Sequence, residues 1–441
     1  MLLIYTPILK PRLKYIFQLI LEELLCIELK VTTDAEHFSD FIGPKLNYSQ
    51  MRLDKEIFIY AHGFLTEKGI HSQDIVMGKY KGQPTLFARE EAINEDSLET
   101  DIPFDLFAAS FYLVSRYEEY LEVAKDNHGR FPASESIAQQ QGFLHKPLVN
   151  IWAKQLLQIL QQQYPRLEIH HRKFTFIPTY DIDIAYSYRC KGWLRNVGGY
   201  LNSLKRMDFA KVWERSRVLL DLKKDPFDNY DYQIALQKEY NLKPIYFFLL
   251  GEYGPYDKNI SVERRRFQDL IQSVSDYASV GIHPSYRSNE KPEVIEEEIK
   301  NLSRIVKREI ARSRQHYVKL HLPETYQQLI KYNITKDYSM GYPDQVGFRA
   351  SIASSFLFYD LSQELITKLR IYPFVIMDVT YRFYLKMNQE ETIKSIKGLI
   401  KEIKSVNGLF IPIWHNSSLS ETDGWEGWRT VFEQMIERSI N

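Results

Sequence analysis

The sequence predicts an α/β protein: a distorted (β/α) barrel of about seven strands, preceded by a smaller mixed α/β domain. Three observations lead there. The chain has 441 residues, 44% of them apolar, which is too much for one ordinary core. From about residue 174 onward, short apolar runs alternate with helical patterns, as parallel βα units do. Those apolar runs end, one after another, on Asp, His or Arg. The charged stretch RLEIHHRK marks the boundary, giving domains 1–172 and 173–441.

In the first domain, LLIYT and IELKVT are strand-like, with a helix between them. Leu13, Ile16, Phe17, Ile20 and Leu24 fall on one face of that helix. EIFIYAHG is a further strand. The run from Ile102 to Val123 predicts a long helix with Phe104, Phe107, Phe111, Val114 and Leu121 on one face. Gly129 and Pro132 follow as breakers, and KPLVNIWAKQLLQILQQQYP predicts another helix ending near Pro165.

In the second domain, FTFIPT is the first strand, running into TYDID. KPIYFFLL is a continuous apolar run suited to a strand covered on both faces. VGIH, RQHYVKL, KDYSMG, YPFVIMD and LFIPIWHN follow as strands, with charged helical stretches among them. GWEGWRTVFEQMIERSI closes the chain as a helix.

Lys plus Arg equals Asp plus Glu at 57 each, which argues against nucleic acid or another polyanion as the main partner. Two cysteines, Cys26 and Cys190, make neither a disulfide framework nor a zinc pair. The apolar N-terminus is interrupted by Lys10, Arg12, Lys14, Glu22 and Glu23, so neither an export signal nor a membrane span is expected, and the cytoplasm is the expected location. Thirty Tyr, 25 Phe and 6 Trp supply a core first and sugar-stacking faces second.

Parallel βα units place their strand ends on one rim, where chemistry sits. The ends here carry Asp181 and Asp183, then His283, Arg314 with His316, Asp337, Asp378, and His415 with Asn416; Arg349 follows in GFRAS. His with carboxylate suits a divalent transition metal that keeps an open position. Of the 11 histidines, His37, His62, His71, His128 and His145 belong to the first domain and are assigned surface or structural places. His170 and His171 sit at the boundary and His321 precedes Pro323, which leaves His283, His316 and His415.

The order of TYDID, GIHPSYRSN, RSRQHY, MGYPDQVGFRAS and IWHN resembles the polysaccharide deacetylases, carbohydrate esterase family 4, with their NodB-homology domain. More narrowly, it looks like a bacterial subfamily with an extra N-terminal domain. The resemblance covers roughly 174–430. It implies Asp181 as catalytic base and Asp183 as metal ligand, with His415 as general acid and Asp378, in preference to Asp337, as the acid's partner. It implies His283 as a second ligand, but the family's next His, four residues on, is Arg287 here. His316 is the candidate for the missing ligand. Either Arg314 or Arg349 would orient the base. Tyr286, Tyr342, Trp414 and Asn416 are candidates to line a sugar site, with Arg314 beside them.

The function so implied is a metal-dependent N-deacetylase, with zinc as the favoured metal and an N-acetylated sugar of a polysaccharide or its cytoplasmic precursor as substrate. Glycoside hydrolysis is disfavoured because Asp181 and Asp183 share one strand and cannot flank a bond. A decayed carbohydrate-binding or assembly protein on the same barrel is the alternative, and Arg287 is its support.

Overall fold

A computed structural model describes residues 1–89, 100–170 and 172–441, so His171 lies outside the described residues. The first four strands are β1 (Leu2–Tyr5), β2 (Leu29–Thr32), β3 (Lys45–Ser49) and β4 (Ile57–Tyr60). They form one parallel sheet in the order β2-β1-β3-β4. The helix Pro11–Phe17 opens with proline at its first position, where no amide hydrogen is needed, and widens into the π-turn Gln18–Leu24. Its apolar face is buried: Leu13, Ile16, Phe17, Ile20 and Leu24 all sit in the core. A small antiparallel hairpin, β5 (Gly78–Tyr80) and β6 (Gln83–Thr85), follows.

The helix expected over 102–123 is shorter. Asp105 caps its start by accepting from the Ala108 amide (2.9 Å), and the α-helix ends at Val114. Arg116 then takes a left-handed conformation (φ 56°), and Tyr117–Tyr120 form a 3₁₀ turn. The break turns Arg116 back toward the second half of the chain. A long helix, Leu148–Gln163, completes this part.

The remaining strands are β7 (Thr175–Phe176), β8 (Thr179–Ile182), β9 (Ile245–Phe248), β10 (Ser279–Ile282), β11 (Arg312–Ser313), β12 (Lys336–Asp337), β13 (Phe356–Asp360), β14 (Leu365–Ile371), β15 (Ile376–Met377), β16 (Leu409–Phe410) and β17 (Pro412–His415). Nine of them form one sheet, β13-β14-β12-β11-β10-β9-β8-β17-β15. Every pair in it is parallel except β13 with β14. Phe356–Ile371 was not expected as strand: β13 and β14 form an antiparallel hairpin there. The ladder ends at β13 and β15 and is therefore open, with nine strands where about seven were expected. The chain entering β15 bridges part of the gap, because the Phe374 amide donates to the Met340 carbonyl (3.0 Å).

Helix Gln389–Ser405 begins on a capping box, in which Asn388 and Glu391 satisfy each other's backbone amides. The apolar core runs without interruption from Leu2 to Ile436, so both halves of the chain share it. Tyr15, for instance, packs on Tyr359 (centroids 5.1 Å) and donates to the Leu357 carbonyl (2.7 Å). Among the described residues, no helix is long and apolar enough to cross a membrane.

Candidate functional site

Asp181 lies next to the last residue of strand β8, Ile182, and Asp183 follows just beyond the strand. Side chains alternate along a strand, so residues 181 and 183 face the same way. Asp181 is buried, and its Oδ1 accepts from Arg314 Nη1 at 2.8 Å. The Arg314 guanidinium also donates to Thr179 Oγ1 (2.7 Å) and the Tyr338 carbonyl (3.0 Å), and lies over the Phe247 ring at 4.5 Å. Arg314 is thus fully buried behind Asp181 and fixes its position; the structure places it here, not on a substrate-lining wall.

Three imidazoles surround Asp183. Its Oδ1 lies 3.2 Å from His283 Nε2, and its Oδ2 lies 3.6 Å from His316 Nε2 and 3.7 Å from His415 Nε2. Each ring is oriented by a second partner on its Nδ1. For His283 that partner is the Arg314 carbonyl (2.5 Å), for His316 the Asp257 carboxylate (2.8 Å), and for His415 the Asp378 carboxylate (2.8 Å). A carbonyl or carboxylate only accepts, so each Nδ1 carries the hydrogen and each neutral ring turns a lone pair on Nε2 toward Asp183.

Lone pairs facing a carboxylate leave a cation-shaped need. Asp183 Oδ1 is buried and accepts no hydrogen bond. Ligand atoms of Asp183, His283 and His316 all lie within 4.8 Å of one another. One carboxylate and two imidazoles, each imidazole fixed from behind, fit a divalent metal. Without one, protons fill the need. Burial opposes the charge on His316, but Asp183 and Asp257 outweigh it and push the ring up to about 9. Burial likewise opposes the charge on His415, while Asp378 and Asp183 push it up to about 10. Burial would raise the Asp183 carboxyl, but His316 and His415 hold it well below the usual range.

Asp378 is nearly saturated. It accepts from the amides of Val379 and His415 (2.7 Å each) and from the Ser418 hydroxyl, besides the His415 ring. Asp337 accepts instead from Ser313 and Ser339 and takes no part in the cluster.

A cavity of about 480 Å³ opens onto Asp181, Asp183, His283, His316 and His415. Its walls include Tyr256, Lys258, Tyr317, Phe383 and Tyr384, and Arg130 from the first part of the chain. Asp126 pairs with the Arg130 guanidinium (2.7 Å), which also donates to the Tyr317 carbonyl (2.6 Å). Tyr317 itself has φ 59°, a left-handed conformation costly for an aromatic residue and held here beside the cluster. A larger cavity, about 730 Å³ around Arg195 and Glu252, contains none of the converged residues.

Several expected site residues lie elsewhere. Arg349 is not beside Asp181: it makes a two-pronged pair with Glu119 (2.8 and 2.6 Å) at the seam between the chain's halves. Tyr342 is buried in the same seam, accepting from Arg116 Nη2 at 3.1 Å. Trp414 faces the core, against Phe432 (4.9 Å) and Met435, because it alternates with His415 on the strand. Asn416 is buried, donating to the carbonyls of Ile184 and Phe227. Tyr286 stands one layer back, stacked on Tyr256 at 4.1 Å. Arg287, where a ligand was anticipated, is half exposed and pairs with Glu252.

The sequence reading missed Asp257, Ser418 and Arg130. Asp257 sits well past the end of β9, in a loop the strand-end rule does not reach. His128, assigned a structural place, faces the cleft's aromatic wall through the Tyr286 hydroxyl (3.2 Å).

Residues 2–165 match a family model described as Family of unknown function (DUF7033). No curated protein sequence matches the chain. Among solved structures, one from Mycobacterium smegmatis described as a polysaccharide deacetylase is 10% identical, covering 61% of this chain and 85% of that one, with a TM-score of 0.39. A polysaccharide deacetylase from Bacillus cereus is 10% identical, covering 60% of this chain and 89% of its own, with a TM-score of 0.29. An allantoinase is 10% identical, covering 60% and 83%, with a TM-score of 0.34.

Proposed function

We propose that the chain is a metal-dependent hydrolase that removes an N-acetyl group from an amino sugar of a polysaccharide or its precursor. The observation that carries this is the arrangement around Asp183: a carboxylate with one orphaned oxygen, its two oxygens facing the Nε2 lone pairs of His283 and His316, with an Arg-held Asp on one side and an Asp-held His on the other. In this reading Asp183, His283 and His316 hold the metal, and zinc is the favoured ion. The metal supplies Lewis acidity, polarising the amide carbonyl and making water a stronger acid. Asp181 takes the proton from the attacking water, and Arg314 keeps that carboxylate aimed. His415 gives a proton from Nε2 to the leaving nitrogen as the C–N bond breaks, with Asp378 holding the opposite face of the ring. Acetate and a free amine result. The curled, open sheet is read as a distorted barrel with the reacting residues on one rim, and the chain as domains 1–172 and 173–441. The end of the family match at residue 165 supports that division.

A non-catalytic carbohydrate-binding protein on the same scaffold is the second reading, and Arg287 in the place of a ligand favours it. His316 weakens that support, since it brings a second imidazole to Asp183 from the next strand.

Elemental mass spectrometry on tag-free protein separates the two. About one zinc-like ion per chain is expected, lost in Asp183→Ala and in His316→Ala, with acetate release from N-acetylated oligosaccharides lost alongside. A metal-free wild type after supplementation would leave the binding protein as the better account.

A further inference from the structure

Beyond Asp183 the chain leaves the sheet and forms two helices, Gly192–Lys205 and Phe209–Leu219. In a globular protein the apolar stripe of such a helix faces the core. Here it faces out. Trp193 (72% exposed), Leu194, Val197, Leu201 and Leu204 line one exposed stripe, and Phe209, Trp213 (68%) and Leu220 line another, with Met207 (77%) at the turn between them.

A set of polar side chains anchors the pair to the rest of the fold. Tyr200 and Ser216 hydroxyls join the two helices at 2.8 Å. Glu214 accepts from the Tyr188 hydroxyl (3.0 Å), and Lys211 pairs with Asp423 (2.6 Å). Arg195 donates to the carbonyls of Asn259 and Lys258 (2.9 and 2.8 Å). This inside-out arrangement is therefore built into the fold.

Charge accompanies it. Lys191 to Lys224 carries nine Lys and Arg against three Asp and Glu, a net +6, in a chain whose total is zero. Lys205, Arg206 and Arg217 are exposed beside the apolar stripes. Exposed tryptophan, leucine and phenylalanine interleaved with basic residues is the composition of an interfacial helix on anionic lipid. A second copy of the chain fits poorly. Two-fold pairing would set the exposed Lys205, Arg206 and Arg217 of one copy against those of another, and the core of a homodimer interface is depleted of charge.

The same contacts tie the hairpin to the cleft. The Arg195 guanidinium lies over Tyr253 at 4.1 Å, which also carries Lys258 Nζ at 4.9 Å, and Lys258 lines the cleft. On the other side, the Asp423 that holds Lys211 accepts through its carbonyl from Arg382 (2.8 Å), next to cleft-lining Phe383.

We propose that this hairpin docks on an anionic lipid surface, seating its apolar stripes among the headgroups and holding the cleft mouth at the bilayer. Resting on the deacetylase reading above, the substrate is an N-acetylated sugar carried on a membrane lipid.

The test uses the full chain with vesicles of equimolar phosphatidylglycerol and phosphatidylcholine, and with phosphatidylcholine alone. Four of the six tryptophans are buried, so a blue shift of tryptophan emission on vesicles reports Trp193 and Trp213. Expected are co-sedimentation with anionic vesicles, weakening as salt rises, and a blue shift. Trp193→Glu with Trp213→Glu is expected to weaken binding about tenfold or more, and Lys205→Glu with Arg206→Glu to weaken it on anionic vesicles. Because these side chains are exposed, folding is retained. Equal binding to both vesicle types, or binding indifferent to the tryptophan variant, overturns the proposal. So does failure to bind, whether the chain is monomeric or forms a dimer that the tryptophan variant dissolves. Acetate release is read separately. The tryptophan variant should lose turnover of a vesicle-borne N-acetylated glycolipid and keep that of a soluble N-acetylated oligosaccharide. Vesicle binding with no acetate release from either would sink the deacetylase reading and leave the docking surface standing.

Discussion

Two fully buried arginines of the second half of the chain each hold a carboxylate, and they do opposite things with it. Arg314 holds only Oδ1 of Asp181, whose Oδ2 remains turned toward His283 at 3.9 Å. Arg349 grips both oxygens of Glu119, and Arg116 adds a third bond to the same carboxylate at 2.7 Å. Glu118 accepts from Arg116 as well, and the Arg116 guanidinium reaches the Arg349 carbonyl. Both oxygens of Glu119 are thereby engaged. The contrast separates the carboxylate proposed to react, Asp181, from a structural one. Both are buried and both are paired with arginine, but only one has an oxygen left to offer.

The seam is where breakage should cost most. Arg349→Ala leaves Glu119 and Arg116 buried without their full complement, which costs about 3–5 kcal/mol. Urea unfolding is expected to show it as a large fall in midpoint, with acetate release per folded molecule retained. A fall in turnover without a fall in midpoint would instead return Arg349 to the site. The seam also weakens in acid. Burial raises the Glu119 carboxyl, but Arg349 and Arg116 hold it below the usual range. That stability is present above the ordinary carboxylate pKa and is lost as pH falls through the lowered value.

The corresponding break at the cleft should spare stability. Asp181→Asn keeps an acceptor for Arg314 and removes the base. Turnover is expected to fall about 10²–10⁴-fold, with metal content and unfolding midpoint close to wild type. A midpoint loss as large as that of Arg349→Ala would mean that the two pairs are alike after all.

Glu298 extends the comparison to a carboxylate with no arginine. It is buried beside the larger cavity around Arg195 and Glu252, its Oε2 accepting from the Ser285 amide (3.0 Å) and its Oε1 accepting from nothing. Burial pushes it up to about 7 from 4.5, against the bonds from Ser285. The folded state therefore binds this proton more tightly than the unfolded one. Its contribution is fully present below the ordinary pKa and is lost as pH rises through about 7, a change of about 3 kcal/mol. Glu298→Gln should remove that slope, so that the variant gains on wild type between about pH 5 and about pH 8 in urea unfolding. Parallel profiles would show the carboxyl to be solvated.

How much of this was legible from residues alone follows from strand geometry. The ends of β8, β10, β11 and β17 carry Asp181, Asp183, His283, His316 and His415, and parallel pairing brings strand ends together. Trp414 and Asn416 were drawn in because they adjoin His415 in sequence, but one step along a strand reverses the face and one step past it enters a turn. Arg349 and Arg314 both sit in motif-like surroundings, and local sequence does not say which way a loop arginine turns. Glu119, its partner, is 230 residues away. The β13–β14 hairpin was hidden by the assumption that helices link all strands. Periodicity in the 192–219 helices marks an apolar face, but not whether that face meets the core or the solvent.

The smallest expected effect falls on Asp257, which stands behind the cleft's lining and holds His316 by its Nδ1–H. Its carboxyl is itself fixed by the amides of Tyr286 and Arg287 (2.9 and 3.4 Å), so it is a rigid acceptor whose loss frees the ring to rotate. Asp257→Ala should lower metal affinity about 10–100-fold, as expected for a partner one bond behind a ligand, and leave turnover at saturating metal much less affected. Titrating metal back into stripped protein while following acetate release separates the two quantities. If Asp257→Ala bound metal as wild type does, His316 would not be a ligand, and the pairing of Arg287 with Glu252 would again favour a chain that binds sugars without cutting them.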